Sequence, residues 1–202
     1  MIRLKKIVVA TRNPAKKERF KRLLGKIAEE ALSLEDFNFV GKPEESGGNA
    51  EENAKIKALY YFKNLNLPVF SEDESLFVDF LPAEQQPGVF VRRVNGKELS
   101  DQELLSYWKS IISKVPKEKR SGRWHIAYCL VGLQKEPIII TIDHPIIFFD
   151  IPLDKIPTGW PLNNIQGPVK FGKPESELTT EELKEHEKEA EIVLMQKLRE
   201  LS

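Results

Sequence analysis

The sequence predicts an α/β fold built on a mixed central β-sheet. Two observations carry that prediction. The first part of the chain alternates short apolar runs with amphipathic segments, in the order strand, helix, strand, helix, strand. The later part supplies a run of β-branched and aromatic stretches, closed by one long charged helix. Strands separated by helices pair in parallel through crossovers, whereas strands a few residues apart pair as antiparallel hairpins. One sheet holding both kinds is therefore mixed.

Taken in order, Ile7–Ala10 is an apolar run after a basic start and reads as a buried strand. It ends in Thr11-Arg12-Asn13-Pro14, where Pro14 suits the first turn of a helix. Phe20, Leu23, Leu24 and Ile27 recur at helical spacing, which predicts a helix over 14–31. Phe37–Val40 reads as a second short strand, and Gly41–Gly48 as a loop carrying Pro43 and two adjacent glycines. Ala54, Ala58, Tyr61, Phe62 and Leu65 give a helix over 51–65 its apolar face. Val69-Phe70 leads into an acidic knot, Ser71-Glu72-Asp73-Glu74-Ser75, read as a loop before the alternating Leu76, Val78 and Phe80.

Pro82–Pro87 is a loop, and Ser100 is placed to cap a helix over 101–112. Arg123–Leu133 and Pro137–Ile142 read as two strands of a hairpin joined by Gln134-Lys135-Glu136, with His144–Asp150 as one more strand. Pro152–Pro174 is rich in Pro, Gly and Asn and reads as a long loop region. A last helix is expected over 180–201, capped by Thr179 or Thr180, with Glu181-Glu182 favourably placed in its first turn. With neither an internal repeat nor a low-complexity linker, residues 1–202 read as one domain.

Lys plus Arg balances Asp plus Glu at 31 each, so neither nucleic acid nor a membrane is the expected partner. The first quarter is nevertheless basic (Arg12, Lys16, Lys17, Arg19, Lys21 and Arg22 among others), and such a segment can attract phosphate. The single cysteine, Cys129, excludes an intramolecular disulfide and a Cys-rich zinc site, and its apolar neighbours suit a buried thiol. No apolar run reaches membrane-spanning length and the start lacks a signal-peptide core, so a cytoplasmic setting is expected.

Two constellations can carry chemistry. At Ala10-Thr11-Arg12-Asn13-Pro14-Ala15-Lys16 a strand delivers a polar turn to a helix N-terminus, where backbone N–H groups, the helix dipole and Lys16 favour an anion. It is not a Walker A loop, because the glycines and the Lys-Ser/Thr pair are missing. The second constellation is a pair of acidic clusters, Glu44-Glu45 and Glu72-Asp73-Glu74. Carboxylates meeting beyond the strand ends of an α/β sheet make a hard-oxygen site suited to Mg²⁺, with solvated acidic loops as the bland alternative. A carboxylate beside such a metal can also deprotonate water. His125, beside Arg123 and Trp124, is more often a satisfied strand residue than a catalyst, and His144 and His186 show no partner pattern.

Together these pieces resemble the Ham1-like family, the Mg²⁺-dependent inosine/xanthosine triphosphate pyrophosphatases. The run Val8–Lys16 is similar to its opening T/S-x-N-x-x-K phosphate loop, and Glu44–Ala58 to its E-E-T-G-x-T-F-x-E-N-A-x-x-K-A segment. Pro68–Asp79 resembles P-x-x-A-D-D-S-G-L-x-V-D, Pro87–Arg93 resembles P-G-x-Y-S-A-R, and Arg123-Trp124-His125 resembles A-R-F-H. The resemblance implies an elongated sheet flanked by helices, two lobes with a cleft between them, and a homodimer. It further implies attack of water on a nucleoside triphosphate to give the monophosphate and pyrophosphate. By position, Thr11, Asn13 and Lys16 would hold phosphate oxygens, Glu44 and Asp73 would hold Mg²⁺ (or Mn²⁺), and Asp73 would also be the base. Lys57 would neutralise the triphosphate, and Arg93 would do so or brace the cleft.

The departures gather where the base is read. The family's glutamate on the first helix falls at Arg19, its serine after the catalytic aspartate is Glu74, and the next glycine is Ser75. Glu74 beside the substrate can repel phosphate or recruit a second metal. The G-F-G-Y/W-D-P base loop survives only as Gly159-Trp160-Pro161-Leu162-Asn163-Asn164, leaving Trp160 and Asn163 as its substrate-facing residues. In the C-terminal E-E-K-x-x-x-S-H-R segment the lysine is Leu183, and the His-Arg pair falls at Lys188 and Glu189. Removing hydrogen-bonding groups from a recognition site changes the preferred substrate. The expectation is thus a pyrophosphatase with altered base preference. A nucleotide-binding protein without turnover is the alternative, and a hydrolase of another phosphorylated metabolite is a third reading.

Overall fold

The apolar runs assemble into one six-stranded sheet in the order β2-β1-β3-β6-β7-β8, seen in a computed structural model that describes residues 4–150 and 160–200. Its strands are β1 (Leu4–Val9), β2 (Ala28–Ser33), β3 (Val69–Val78), β6 (Ser121–Val131), β7 (Ile138–Phe148) and β8 (Gln166–Pro168). A two-residue ribbon pairs β4 (Arg93–Val94) with β5 (Lys97–Glu98). The helices are α1 (Pro14–Leu24), α2 (Ala50–Leu65), α3 (Asp101–Ile112) and α4 (Thr180–Glu200). β1 pairs in parallel with both β2 and β3, whereas β7 and β8 run antiparallel, so the sheet is mixed as expected. Among the described residues, no helix is long and apolar enough to cross a membrane.

The caps follow the local sequence. Asn13 accepts from the N–H groups of Ala15 and Lys16, with Pro14 behind it in the first turn of α1. Ser100 and Glu103 form a reciprocal capping box on α3, and Thr179 and Glu182 exchange the same pair of bonds ahead of α4.

Four expectations are corrected. α1 stops at Leu24 rather than continuing to residue 31, and Ala28–Ser33 forms β2. The stretch Ala-Glu-Glu-Ala-Leu-Ser has little intrinsic strand preference; ladder pairing from Leu4↔Ala28 to Val9↔Ser33 decides its conformation. Phe37–Val40 is therefore not the second strand. A 3₁₀ turn over Glu35–Phe37 ends at left-handed Asn38, and Phe39 packs edge-on against Tyr60 and Tyr61. The acidic knot is not a loop but the middle of β3. Finally, the two expected strands around residues 137–150 are one strand, β7, with Pro145 inside it. Of the expected loop 152–174, residues 151–159 lie outside the described residues, and the rest includes a 3₁₀ turn at Pro161–Asn164 and β8.

The chain divides into two compact units, Met1–Glu74 with Ile126–Ile142 and Glu191–Ser202, and Ser75–His125 with Asp143–Ala190. The first is cored by Ile7, Val9, Phe20, Leu23, Phe70, Tyr128 and Leu130, the second by Leu76, Val78, Leu104, Trp108, Ile112, Phe148 and Ile165. Cys129 is fully buried in the first unit, and that burial pushes its thiol up to about 12, which makes it an inert core residue.

Candidate active site

β1 ends at Val9, whose partner on β3 is Phe70, so Glu72-Asp73-Glu74 run past the end of β1 to the level of the turn into α1. Strand alternation then sorts the side chains. On one face, Phe70 meets Phe20 of α1 with ring centroids 4.9 Å apart, and Glu72 and Glu74 reach Lys16 at 3.2 and 3.1 Å. On the other, the buried Ser71 hydroxyl donates to the Ala54 carbonyl at 2.6 Å, and Asp73 meets Lys57 at 2.7 Å. Ala50, Ala54 and Ala58 are fully buried, and their small side chains let α2 approach β3 this closely. One ten-residue strand thus presents carboxylates to lysines on two helices.

The loop ahead of α2 is fastened by that helix. Gly47 N–H donates to Asn53 Oδ1 at 2.8 Å, Gly48 N–H to Glu52 Oε2 at 2.8 Å, and Asn49 caps the helix through Glu52 N–H. Glycine is required at 47 by close approach, since a Cβ there would stand 2.7 Å from Asn53 Oδ1. The fastening brings Glu45 to 3.6 Å from Lys57, the ammonium that also holds Asp73. Thr11, Asn13, Lys16, Glu45, Lys57 and the three acids of β3 border one cavity of about 260 Å³. Pockets that enclose drug-sized ligands run ~300–1,000 Å³, so this space lies just below that range.

Burial dominates the electrostatics. It raises the Glu72 carboxyl above the ordinary range, opposed in part by Lys16, and it raises Asp73 against the opposing pull of Lys57 and a hydrogen bond from Asn53. For Lys16, burial alone would depress the ammonium, but Glu72 and Glu74 together override it and hold the group well above ordinary lysine. Lys16 therefore stays charged at neutral pH, while Glu72 and Asp73 take up protons more readily than free carboxylates.

The expected site residues fall into two groups. Thr11, Asn13, Lys16, Lys57, Asp73 and Glu74 come together at the cavity, with Thr11 Oγ1 accepting from Asn13 N–H at 3.2 Å and Asn13 committed to capping α1. Glu44 and Glu45 are both exposed, and it is Glu45, not Glu44, that borders the cavity. Arg93, Trp160 and Asn163 belong to the second unit. Arg93 is exposed with its guanidinium 5.2 Å from the Phe90 ring centre, Trp160 is 38% exposed, and the half-buried Asn163 donates its N–H to the Trp160 carbonyl. His125 pairs with Asp143 at 2.6 Å, which satisfies it as expected of a strand histidine. His144 and His186 stand ring to ring at 5.8 Å, a meeting across 42 residues that no local pattern signals. A larger cavity in the second unit, about 530 Å³ beside Asp79 and Lys119, gathers no comparable set of groups, and the Asp79 carboxylate is used by the Ser121 hydroxyl.

Three contributors were not singled out from sequence. Glu45 was one of two adjacent acids, with nothing local to choose between them. Asn53 carried a usable signal, for it lies one helical turn before Lys57 on the same face and both reach Asp73. Arg12 clamps the approach, its Nη2 standing 3.2, 2.8 and 2.8 Å from the carbonyl oxygens of Phe39, Val40 and Gly41. Arg12→Ala is expected to speed amide exchange over residues 39–45 by roughly tenfold while changing global stability by no more than about 1 kcal/mol. Hydrogen-exchange mass spectrometry checks this, and unchanged exchange would remove Arg12 from the role of clamp.

Known proteins place this arrangement. The sequence profile of the Ham1 family matches residues 7–143. The chain is 32% identical over 136 residues to a dITP/XTP pyrophosphatase of Halalkalibacterium halodurans, covering 67% of this chain and 69% of that one. It is 35% identical over 134 residues to a dITP/XTP pyrophosphatase of Vibrio parahaemolyticus, covering 66% of each chain. The crystal structure of the Mycobacterium abscessus nucleoside-triphosphatase / dITP/XTP pyrophosphatase superposes with a TM-score of 0.72 at 29% identity, over 96% of this chain and 98% of that one. The fold is thus one found in a solved nucleoside-triphosphatase / dITP/XTP pyrophosphatase. The chain belongs to the Ham1 family.

Proposed function

We propose that this chain hydrolyses a nucleoside triphosphate to the monophosphate and pyrophosphate, with a base preference altered from that of inosine- and xanthosine-type substrates. The observation that carries the reading is the convergence of Lys16, Lys57, Glu45 and Asp73 on one cavity, in a chain whose relatives are named dITP/XTP pyrophosphatases. Phosphoryl chemistry needs positioning and charge neutralisation more than a covalent nucleophile, and the cavity has the groups for both. Lys16 and Lys57 bind phosphate oxygens; the Thr11 hydroxyl and the positive end of α1 favour the phosphate chain, and Asn13, whose Oδ1 caps α1, offers it only the N–H groups of its side-chain amide. Asp73, steadied by Lys57 and Asn53, accepts the proton of the attacking water.

A divalent cation fits this donor set. The Lys57 ammonium already sits between the carboxylates of Glu45 and Asp73, at 3.6 and 2.7 Å, so these hard oxygens accommodate positive charge between them. Asp73 with one acid of the Glu44-Glu45 pair would hold Mg²⁺ or Mn²⁺, and Glu45 is the member facing the cavity. When bound, the metal neutralises phosphate charge. Asn163, with Trp160 beside it, stands where the resemblance expects base recognition, and an amide there in place of a carboxylate supports the altered preference. A homodimer and a cytoplasmic setting belong to the same proposal.

Pyrophosphate release from a panel of natural and deaminated nucleoside triphosphates, with Mg²⁺ or Mn²⁺, tests the reading. Turnover of at least one is expected, whereas thermal stabilisation by nucleotide with no turnover would favour a binding protein. A pH profile adds a second check. Because burial raises Asp73, and a base must be ionised to act, the acid limb of kcat/KM is expected above the roughly 3.9 of a free aspartate. Lys57 pulls that carboxyl down, so Lys57→Met is expected to move the limb further toward neutral pH. A limb unmoved by this change would separate it from Asp73.

A further inference from the structure

The anion-binding lysine of the cavity is already engaged by anions of the protein itself. Lys16 Nζ stands 3.2 Å from Glu72 Oε1 and 3.1 Å from Glu74 Oε1. An ammonium has three donors, and two of them go to carboxylates that strand alternation aims from the same face of β3. A phosphate oxygen that approaches Lys16 meets the negative charge of both carboxylates, and relieving that repulsion requires one of the two to move away. They are not equivalent: the Glu72 side chain is 6% exposed and the Glu74 side chain 28% exposed. Releasing Glu72 would leave a carboxylate buried without its counter-ion, whereas released Glu74 returns to water at small cost. Glu74 is therefore the partner that exchanges.

We propose that Glu74 is an internal competitor for the phosphate site, its carboxylate occupying on Lys16 the place that a substrate phosphate takes. This rests on the reading of the cavity as a polyphosphate site. Glu74 then weakens capture of any phosphate chain without taking part in the hydrolytic step, so its effect falls on KM and not on kcat. The contact also explains how the chain keeps a half-buried, charged lysine at little cost in stability, since the two carboxylates balance its charge.

The test is calorimetric titration of the full chain with inorganic tripolyphosphate in the presence of a metal chelator. Glu74→Gln, which keeps the size and removes the charge, is expected to tighten binding on the order of tenfold, the worth of one charge-assisted hydrogen bond. Glu74→Asp keeps the charge and is expected to stay within about threefold of the wild-type protein, which separates charge from packing. Glu18→Gln removes one exposed carboxylate from the same helix as Lys16 and is expected to change affinity less than about twofold. On a Lys16→Met background the gain from Glu74→Gln should vanish, because the competition has lost its object. Equal affinity of Glu74→Gln and wild type, or a gain that persists without Lys16, overturns the proposal. If no nucleoside triphosphate is turned over, the enzymatic reading fails, while tripolyphosphate affinity still decides the role of Glu74. If turnover is found, KM should fall in Glu74→Gln with kcat unchanged, and a fall in kcat instead would place Glu74 in the chemistry.

Discussion

Asp73→Asn is expected to lower kcat by about 10²–10⁴-fold, the range for loss of a positioned general base. The substitution keeps the shape of the side chain and a hydrogen-bonding oxygen toward Lys57, so the cavity stays formed while the proton acceptor is lost. Stability should not fall with it. The folded-state carboxyl of Asp73 is raised by burial, so its contribution to stability is full below the unfolded value near about 3.9 and is lost as pH rises through the folded one. At neutral pH the ionised aspartate is a burden that asparagine does not carry, and Lys57 retains Glu45 at 3.6 Å. Thermal melting at pH 7 is expected to place the variant no lower than wild type, with steady-state kinetics recording the loss. A variant that unfolds early would mean that Asp73 serves the fold.

Phe70→Ala is expected to cost about 3–5 kcal/mol of stability, the range for removing a fully buried aromatic side chain. Phe70 is 0% exposed, with ring centroids 4.9 Å from Phe20 and 5.6 Å from Tyr128, so it joins α1 and β6 to β3 at the level where β1 ends. The cavity left behind has rigid walls of strand and helix, which limits its collapse. For a chain of this length each kcal/mol shifts Tm by about 2–4 °C, so a fall of roughly 6–20 °C is expected by calorimetry. Phe70 also sets the register of the acids two to four residues later, so activity should drop before the protein melts. A shift below about 3 °C would show that the core repacks around the loss.

The parts of this site that depend on neighbours in sequence were legible before the fold was known. The strand-turn-helix of Ala10–Lys16 and the helix carrying Lys57 follow from local patterns, as do the cap at Ser100 and the presence, though not the conformation, of the acidic knot. What escaped depends on contacts distant in sequence. β2 is a strand because β1 pairs with it, although its own residues favour a helix. The acidic knot is extended because its charges are taken up by Lys16 and Lys57, 56 and 16 residues away. Glu45 rather than Glu44 borders the cavity because Asn53 and Glu52 fasten the glycines that follow, and no property of the two acids themselves predicts that choice. Arg12 is a clamp because three carbonyls 27–29 residues later converge on it. The family resemblance is borne out by the Ham1 profile over residues 7–143, and the departures at Arg19, Glu74 and Asn163 are where the proposed change of preference would arise.

The most direct measurement is product analysis of nucleotide hydrolysis in ¹⁸O-labelled water, by ³¹P NMR and mass spectrometry. Water activated by Asp73 is expected to attack the α-phosphorus, giving pyrophosphate and a nucleoside monophosphate that carries the label, with no orthophosphate formed. Orthophosphate and nucleoside diphosphate as products, or labelled products formed equally fast by Asp73→Asn, would contradict the account.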